Sequence, residues 1–205
     1  MSLEPRSRLR IGVFGGAFDP PHAGHLALAQ SALEQLQLDR LHVVPTGQAW
    51  HKARTLTAAE HRLAMARLAF GGMERVVVDS REIERTGPSY TVDTLRELQQ
   101  QYPAAPLFLV IGQDQADALS TWSRSDEILK IAIICVAGRA IPAGAAGLFE
   151  PSNFPAAPFQ RLSMPPMDVN ATDLRRRLAL HQSVVPLVFE PVARYIAHHH
   201  LYQSA

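Results

Sequence analysis

The stretch Ile11-Gly12-Val13-Phe14-Gly15-Gly16-Ala17-Phe18-Asp19-Pro20-Pro21-His22-Ala23-Gly24-His25 constrains the fold more than any other part of the chain. An apolar, β-branched run ends in two glycines, an Asp-Pro-Pro turn follows, and an amphipathic helical pattern then opens with two histidines. That order reads as a strand, a tight turn and a helix N-terminus. Glycines let backbone approach a ligand where a Cβ would collide, and a helix start offers unpaired N–H groups at the positive end of its dipole. Such a corner attracts phosphate. His22 and His25, three residues apart, share one helix face and can grip a single anion. Imidazole donors aimed at a nucleotide's phosphates would stabilise charge building on a pentavalent phosphorus and on the leaving oxygen. Two plainer readings compete: a glycine turn with incidental histidines, or half of a zinc site. A catalytic zinc takes three protein ligands, and no obvious third lies at short spacing.

The rest of the chain supplies the frame for that corner. Strands are expected at Leu9 to Phe14, Leu41 to Pro45, Arg75 to Asp79, Leu107 to Ile111, Ile131 to Ala137 and Arg161 to Met164. Between and after them run helical patterns: Ala23 to Leu36, Ala58 to Phe70, Thr91 to Gln101, short helices between Ala116 and Lys130, Thr172 to Leu180, and Pro191 to His199. Strands alternating with helices imply parallel βαβ units and an α/β, doubly wound sheet with C-terminal helices. Ligands of such sheets sit beyond the strands' carboxyl ends, at the switch point. The 205 residues, 47% hydrophobic and 19% charged, suit one domain with a core of its own, read as 1–205. A net charge of +1 gives no footprint for sequence-independent nucleic-acid binding. Cys135, the one cysteine, stands in an apolar run and reads as a buried thiol. Met1 to Arg10 has no apolar leader core and no stretch reaches about 20 apolar residues, so a cytoplasmic protein without a membrane partner is expected. The Pro-, Ala- and Gly-rich stretch 141–159 reads as a surface excursion, and His198 to His200 as an exposed helix end.

Several loops would share the rim with the two glycines. Lys52, in Pro45-Thr46-Gly47-Gln48-Ala49-Trp50-His51-Lys52, could reach phosphate as a mobile cation, although loop lysines are usually only solvated. In Arg85-Thr86-Gly87-Pro88-Ser89-Tyr90-Thr91-Val92-Asp93-Thr94, Gly-Pro makes a turn and Ser89 or Thr91 is a candidate N-cap, leaving the next helix's first amides facing a ligand. Gly112-Gln113-Asp114 follows a strand, where a carboxylate can accept both ribose hydroxyls. Trp122 beyond it can stack a flat, electron-poor ring. In Val169-Asn170-Ala171-Thr172-Asp173-Leu174-Arg175-Arg176-Arg177, Asn170 or Thr172 is a plausible cap. Arginines so near a helix start conflict with its dipole, and an anion would resolve the conflict. Arg176 and Arg177 read as a solvated face.

Gly15 to His25 resembles the signature of the nucleotidylyltransferase superfamily, whose core is histidine, any residue, glycine and histidine. Ser89-Tyr90-Thr91 with Thr94, and Trp122 downstream, resemble the segments by which bacterial nicotinate-mononucleotide adenylyltransferases hold their acceptor. The helix at Thr172 and Arg175 is similar to the one that holds ATP's triphosphate, with Val169, Asn170 and Ala171 standing where the family has Ile-Ser-Ser. Trp50 and His51 fall where the family often has two prolines and a histidine. The resemblance implies a Rossmann-like fold and adenylyl transfer from ATP to nicotinate mononucleotide in NAD synthesis. It assigns ATP to Gly15, Gly16, Phe18, His22, His25, Gly112, Asp114, Thr172 and Arg175. The acceptor falls to Gly16, Ser89, Tyr90, Thr91, Thr94, Trp122 and Ser123, and catalysis to His22, His25, Lys52 and Arg175. Mg²⁺ would be carried mainly through phosphate oxygens, with no dedicated protein ligand. Two alternatives remain: a phosphopantetheine adenylyltransferase, which shares the first motif only, and a nucleotide-binding sensor without turnover.

Overall fold

The computed structural model describes residues 8–47, 56–139 and 158–203. Lys52, Trp50 and His51, and most of the 141–159 excursion, lie outside them. The chain runs β1 (Ile11–Gly16), α1 (Ala23–Gln35), β2 (Arg40–Pro45), α2 (Ala59–Phe70), β3 (Val76–Val78) and α3 (Arg81–Glu84). It continues through α4 (Thr91–Gln101), β4 (Leu107–Gly112), α5 (Gln113–Asp117), a 3₁₀ turn (Leu119–Thr121) and α6 (Ser125–Ile131). β5 (Ala132–Arg139), β6 (Phe159–Met164), α7 (Ala171–Ala179) and α8 (Glu190–His198) complete it.

All five strand pairings are parallel, in the order β3-β2-β1-β4-β5-β6. This is the doubly wound order whose reversal lies between β1 and β4. Side chains alternate across the sheet as the two-residue period requires. Phe108 and Val110 of β4 join a core with Leu28, Leu33, Met65, Phe70, Leu174 and Ile196, on the α1, α2, α7 and α8 side. Leu107, Leu109 and Ile111 join the opposite core with Val92, Leu95, Leu98 and Ile128, from α4 and α6. α4 shows why such segments become helices: its buried residues Val92, Leu95 and Leu98 recur at helical spacing on one face. Among the described residues no helix is long and apolar enough to cross a membrane.

Two differences from the sequence reading bear on the site. β1 begins at Ile11 rather than Leu9 and extends through both glycines, because Gly15 and Gly16 pair with Val44 and Pro45 of β2. α3 went unforeseen, since four residues carry no periodicity to read. Cys135 is buried on β5, where burial pushes its thiol up to about 12, so it stays protonated and inert.

Candidate active site

β1 pairs with β4 only as far as Val13 with Leu109, whereas β1 follows β2 to Gly16 and β4 follows β5 to Gly112. The two central strands therefore part at their carboxyl ends, and the crevice of the doubly wound fold opens between 14–16 and 110–112. Neither rim glycine is needed by the protein's own packing. Among the described residues a Cβ on Gly15 or Gly112 would meet nothing within 4 Å, so their effect is to leave space above the strand ends. Gly16 differs, because a Cβ there would come 2.9 Å from the Phe18 ring. Phe18, implied among the ATP contacts, sits at φ +48° with its ring in the core between Phe14, Phe70 and His25. Only its backbone is left for a ligand.

His22 is the N-cap of α1, and its carbonyl accepts the N–H groups of His25 (2.8 Å) and Leu26 (3.2 Å). The His22 N–H in turn donates to Nδ1 of His25 at 3.2 Å. An Nδ1 that accepts a hydrogen bond fixes the neutral ring as the Nε2–H tautomer, so His25 presents a donor at its far end. The two rings stack at 3.7 Å between centroids. Neither Nε2 has a hydrogen-bond partner among the described residues. Burial lowers the His22 pKa to about 4 and, with the His22 charge adding to it, holds His25 well below its ordinary value. Both rings are thus neutral donors near pH 7. His22 Nδ1 is buried without a hydrogen bond among the described residues. It packs against Gly24, where a Cβ would stand 3.2 Å from that nitrogen and 3.2 Å from Val169. The glycine between the histidines is there for the His22 ring.

The helix start is less open than the sequence implies. The Ala23 N–H is taken by the Leu187 carbonyl from the α7–α8 connection at 2.8 Å, and the His25 N–H by His22. Gly24 alone of these three keeps an amide with no partner among the described residues.

From the far end of the chain, Arg175 reaches this turn. Its Nη1 donates to the Asp19 carbonyl at 2.9 Å and its Nη2 to the Thr172 hydroxyl at 3.1 Å. Asn170 is the cap of α7, accepting from the Asp173 N–H at 2.8 Å, so Thr172 is left to steady the arginine. Arg176 and Arg177 pair with Asp173 on the solvated face, as their spacing suggested. His198 to His200 form the exposed end of α8.

On the acceptor side the structure corrects the reading of the hydroxyls. Tyr90, not Ser89 or Thr91, is the N-cap of α4, and no side chain caps that helix. Ser89 Oγ donates to the Glu82 carbonyl at 3.1 Å, and Thr94, 1% exposed, donates to the Glu82 carboxylate at 2.8 Å. Both hydroxyls are turned inward onto Glu82, a buried glutamate whose pKa burial raises. Tyr90 and Ser123 are exposed, and Trp122 is partly buried against the α4 core. Ion pairs from Arg124 to Asp93 and from Arg96 to Glu127 tie the Trp122 segment to the first turns of α4. Asp114 is exposed in the first turn of α5, with no hydrogen bond or ion pair among the described residues.

The link between the two halves is Arg62, which the sequence reading passed over. The guanidinium, 2% exposed, donates to the carbonyls of Thr57 (2.8 Å), Ala17 (3.1 Å) and Gly47 (3.3 Å). Ala17 belongs to the phosphate turn, and Gly47 packs under the acceptor segment. A Cβ on Gly47 would land on the Glu82 carbonyl and 3.2 Å from Ser89 Oγ. A planar, five-donor group suits three carbonyls in fixed directions as a lysine would not. The signal was present: Arg62 falls on the same α2 face as the buried Met65, Ala66 and Ala69, and an arginine on a core face needs partners.

The cytidylyltransferase-like family model matches residues 13–177, from β1 into α7. A protein of Albidiferax ferrireducens is 62% identical over 196 residues, covering 96% of this chain and 99% of its own. One of Methylibium petroleiphilum is 47% identical over 208 residues, covering 98% and 95%. Each bears the name "Probable nicotinate-nucleotide adenylyltransferase". A solved structure of a Plasmodium falciparum nicotinic acid mononucleotide adenylyltransferase complexed with NaAD aligns with a TM-score of 0.78 at 16% identity, over 95% of this chain and 98% of that one. At that identity it speaks for the fold.

Proposed function

The chain belongs to the cytidylyltransferase-like family and within it to the nicotinate-nucleotide adenylyltransferases, and on that premise we propose how its residues carry AMP from ATP to nicotinate mononucleotide. The products are nicotinate adenine dinucleotide and pyrophosphate, a step of NAD synthesis. The observation that carries the proposal is that Arg175 is held, through the Asp19 carbonyl, to the same turn that leads into the two neutral imidazoles of His22 and His25.

The acceptor's 5′-phosphate oxygen attacks the α-phosphorus of ATP while the bond to the bridging oxygen of pyrophosphate breaks. That nucleophile is already an anion, so no general base or covalent intermediate is needed, and in-line placement supplies much of the acceleration. His22 and His25 stabilise the charge that builds on the α-phosphoryl oxygens and the leaving group. Arg175, steadied by Thr172, meets the departing phosphates, and Lys52, outside the described residues, adds a further cation. Gly15, Gly16 and Gly112 give the nucleotide its close approach, and Asp114 accepts its ribose hydroxyls. On the acceptor side, Gly16 and the segment Ser89, Tyr90, Thr91 present backbone to the pyridine carboxylate. Trp122 stacks the pyridinium, with Ser123 beside it.

Among the described residues no group of three His, Cys, Asp or Glu is placed to hold a metal. The described carboxylate nearest the turn, Asp19, is engaged by Tyr202 and the Thr57 N–H. Magnesium would enter as part of the MgATP substrate, carried by phosphate oxygens. We place the reaction in the cytoplasm, where its nucleotide substrates are.

Backbone N–H groups favour a carboxylate, which accepts charge-assisted bonds on both oxygens, over a carboxamide, which presents one acceptor and a repelling NH₂. With MgATP, turnover per KM is therefore expected to be about tenfold or more higher for nicotinate mononucleotide than for nicotinamide mononucleotide. Pyrophosphate release with each acceptor, and with phosphopantetheine, checks this. Faster turnover of phosphopantetheine would overturn the acceptor, and tight ATP binding without pyrophosphate release would make the protein a sensor.

A further inference from the structure

The chain's C-terminal end returns to the phosphate turn. Just beyond α8, His200 takes φ +52°, and the Leu201 N–H folds back onto the Ile196 carbonyl at 3.0 Å. This reversal swings Tyr202 inward, against Met65 of α2. There the Tyr202 hydroxyl donates to Oδ1 of Asp19 at 2.7 Å, across 183 residues of sequence. Asp19 is 1% exposed, and the Thr57 N–H donates to its Oδ2 at 3.4 Å. The phenol keeps its proton in this setting, because burial and the Asp19 charge both raise its pKa.

Asp19 has two jobs in the geometry. Its carboxylate is anchored by Tyr202, while its carbonyl is the acceptor that orients Arg175. It also stands three residues before His22. We propose that Tyr202 is a positioning residue for adenylyl transfer: by fixing the Asp19 carboxylate it sets the direction in which the Asp19 carbonyl holds Arg175. A buried carboxylate that loses a donor seeks another, and the peptide that carries it turns as it does so. The inference rests on the adenylyl-transfer reading above.

The test is a double-mutant cycle of Tyr202→Phe with Arg175→Lys, reading kcat, both KM values and the melting temperature. Phenylalanine keeps the ring on Met65 and removes only the hydroxyl, so the melting temperature is expected to fall by a few degrees while the protein stays folded. kcat is expected to fall about tenfold with KM for nicotinate mononucleotide unchanged, because the acceptor segment lies on the other rim. In the Arg175→Lys background the same change is expected to cost less than about twofold, since the group being aimed is already altered. An unchanged kcat, an equal loss in both backgrounds, or a loss confined to thermal stability would each overturn the positioning role. Wild-type protein that releases no pyrophosphate in the same assay would fail the underlying reaction and this inference with it. That outcome is distinguishable from failure of the inference alone.

Discussion

Alanine at position 25 is expected to lower kcat by about 100- to 1,000-fold while changing the Kd for ATP by no more than about threefold. The asymmetry follows from when the contact is made. The His25 Nε2–H is a neutral donor already aimed by the His22 N–H on its Nδ1, so it needs no reorganisation as charge appears. In ground-state ATP the same donor only replaces water, and such an exchange contributes little to affinity. The substitution removes one hydrogen bond at the helix start, worth about 1 kcal/mol, and the ring's contacts with Phe14, Phe18 and His22, so the melting temperature is expected to fall while the protein stays folded. Steady-state kinetics beside calorimetric ATP binding checks the split, and equal losses in kcat and in affinity would contradict it.

Acidification should destabilise the free protein through the same pair of rings. The His22 pKa is about 4 in the folded chain and 6.5 when unfolded, because burial disfavours the charged ring. Between those values the unfolded chain binds a proton that the folded chain does not. The contribution is therefore fully present above pH 6.5 and is lost as the pH falls toward 4. From pH 7 to pH 5 the loss from His22 alone is about 2 kcal/mol, or a melting temperature lower by about 4–8 °C in a chain of this size. His25 acts in the same direction. Asp79 adds nothing in this window. Although burial opposes it, hydrogen bonds from His42 and Arg81 hold its carboxyl below the ordinary range, so its contribution fails only at lower pH. The His22→Asn variant isolates the effect: its melting temperature should fall less between pH 7 and 5 than that of the wild type. An identical slope in the two proteins would show that the His22 ring is not a buried neutral base.

How much of this was legible depended on distance along the chain. The strands announced themselves by β-branched runs bounded by turns, and the phosphate corner by residues that are contiguous from Gly15 to His25. Asn170 and Thr172 were both visible as cap candidates, but only the Asp173 amide decides between them. Ser89 was legible as a cap candidate, and Ser89 and Thr94 as acceptor contacts by resemblance, but the direction of each hydroxyl is set by what is buried beside it. The glutamate that turns them inward lies in a helix too short to foresee. Arg62 could have been found from its place on a core face, although nothing local says that it joins the loops at Ala17, Gly47 and Thr57. The Tyr202 to Asp19 bond left no trace at all in the sequence, since neither residue is informed by its own neighbours about one 183 positions away.

In the proposed mechanism the His22 and His25 rings, the Gly24 amide and Arg175, which is held to the same turn by the Asp19 carbonyl, converge on the triphosphate. A crystal structure with a non-hydrolysable ATP analogue tests that convergence most directly. The account predicts phosphate oxygens within hydrogen-bonding distance of both Nε2 atoms, of the Gly24 N–H and of the Arg175 guanidinium. A triphosphate lying elsewhere, with the two rings turned from it or joined to each other through a metal ion, would contradict it.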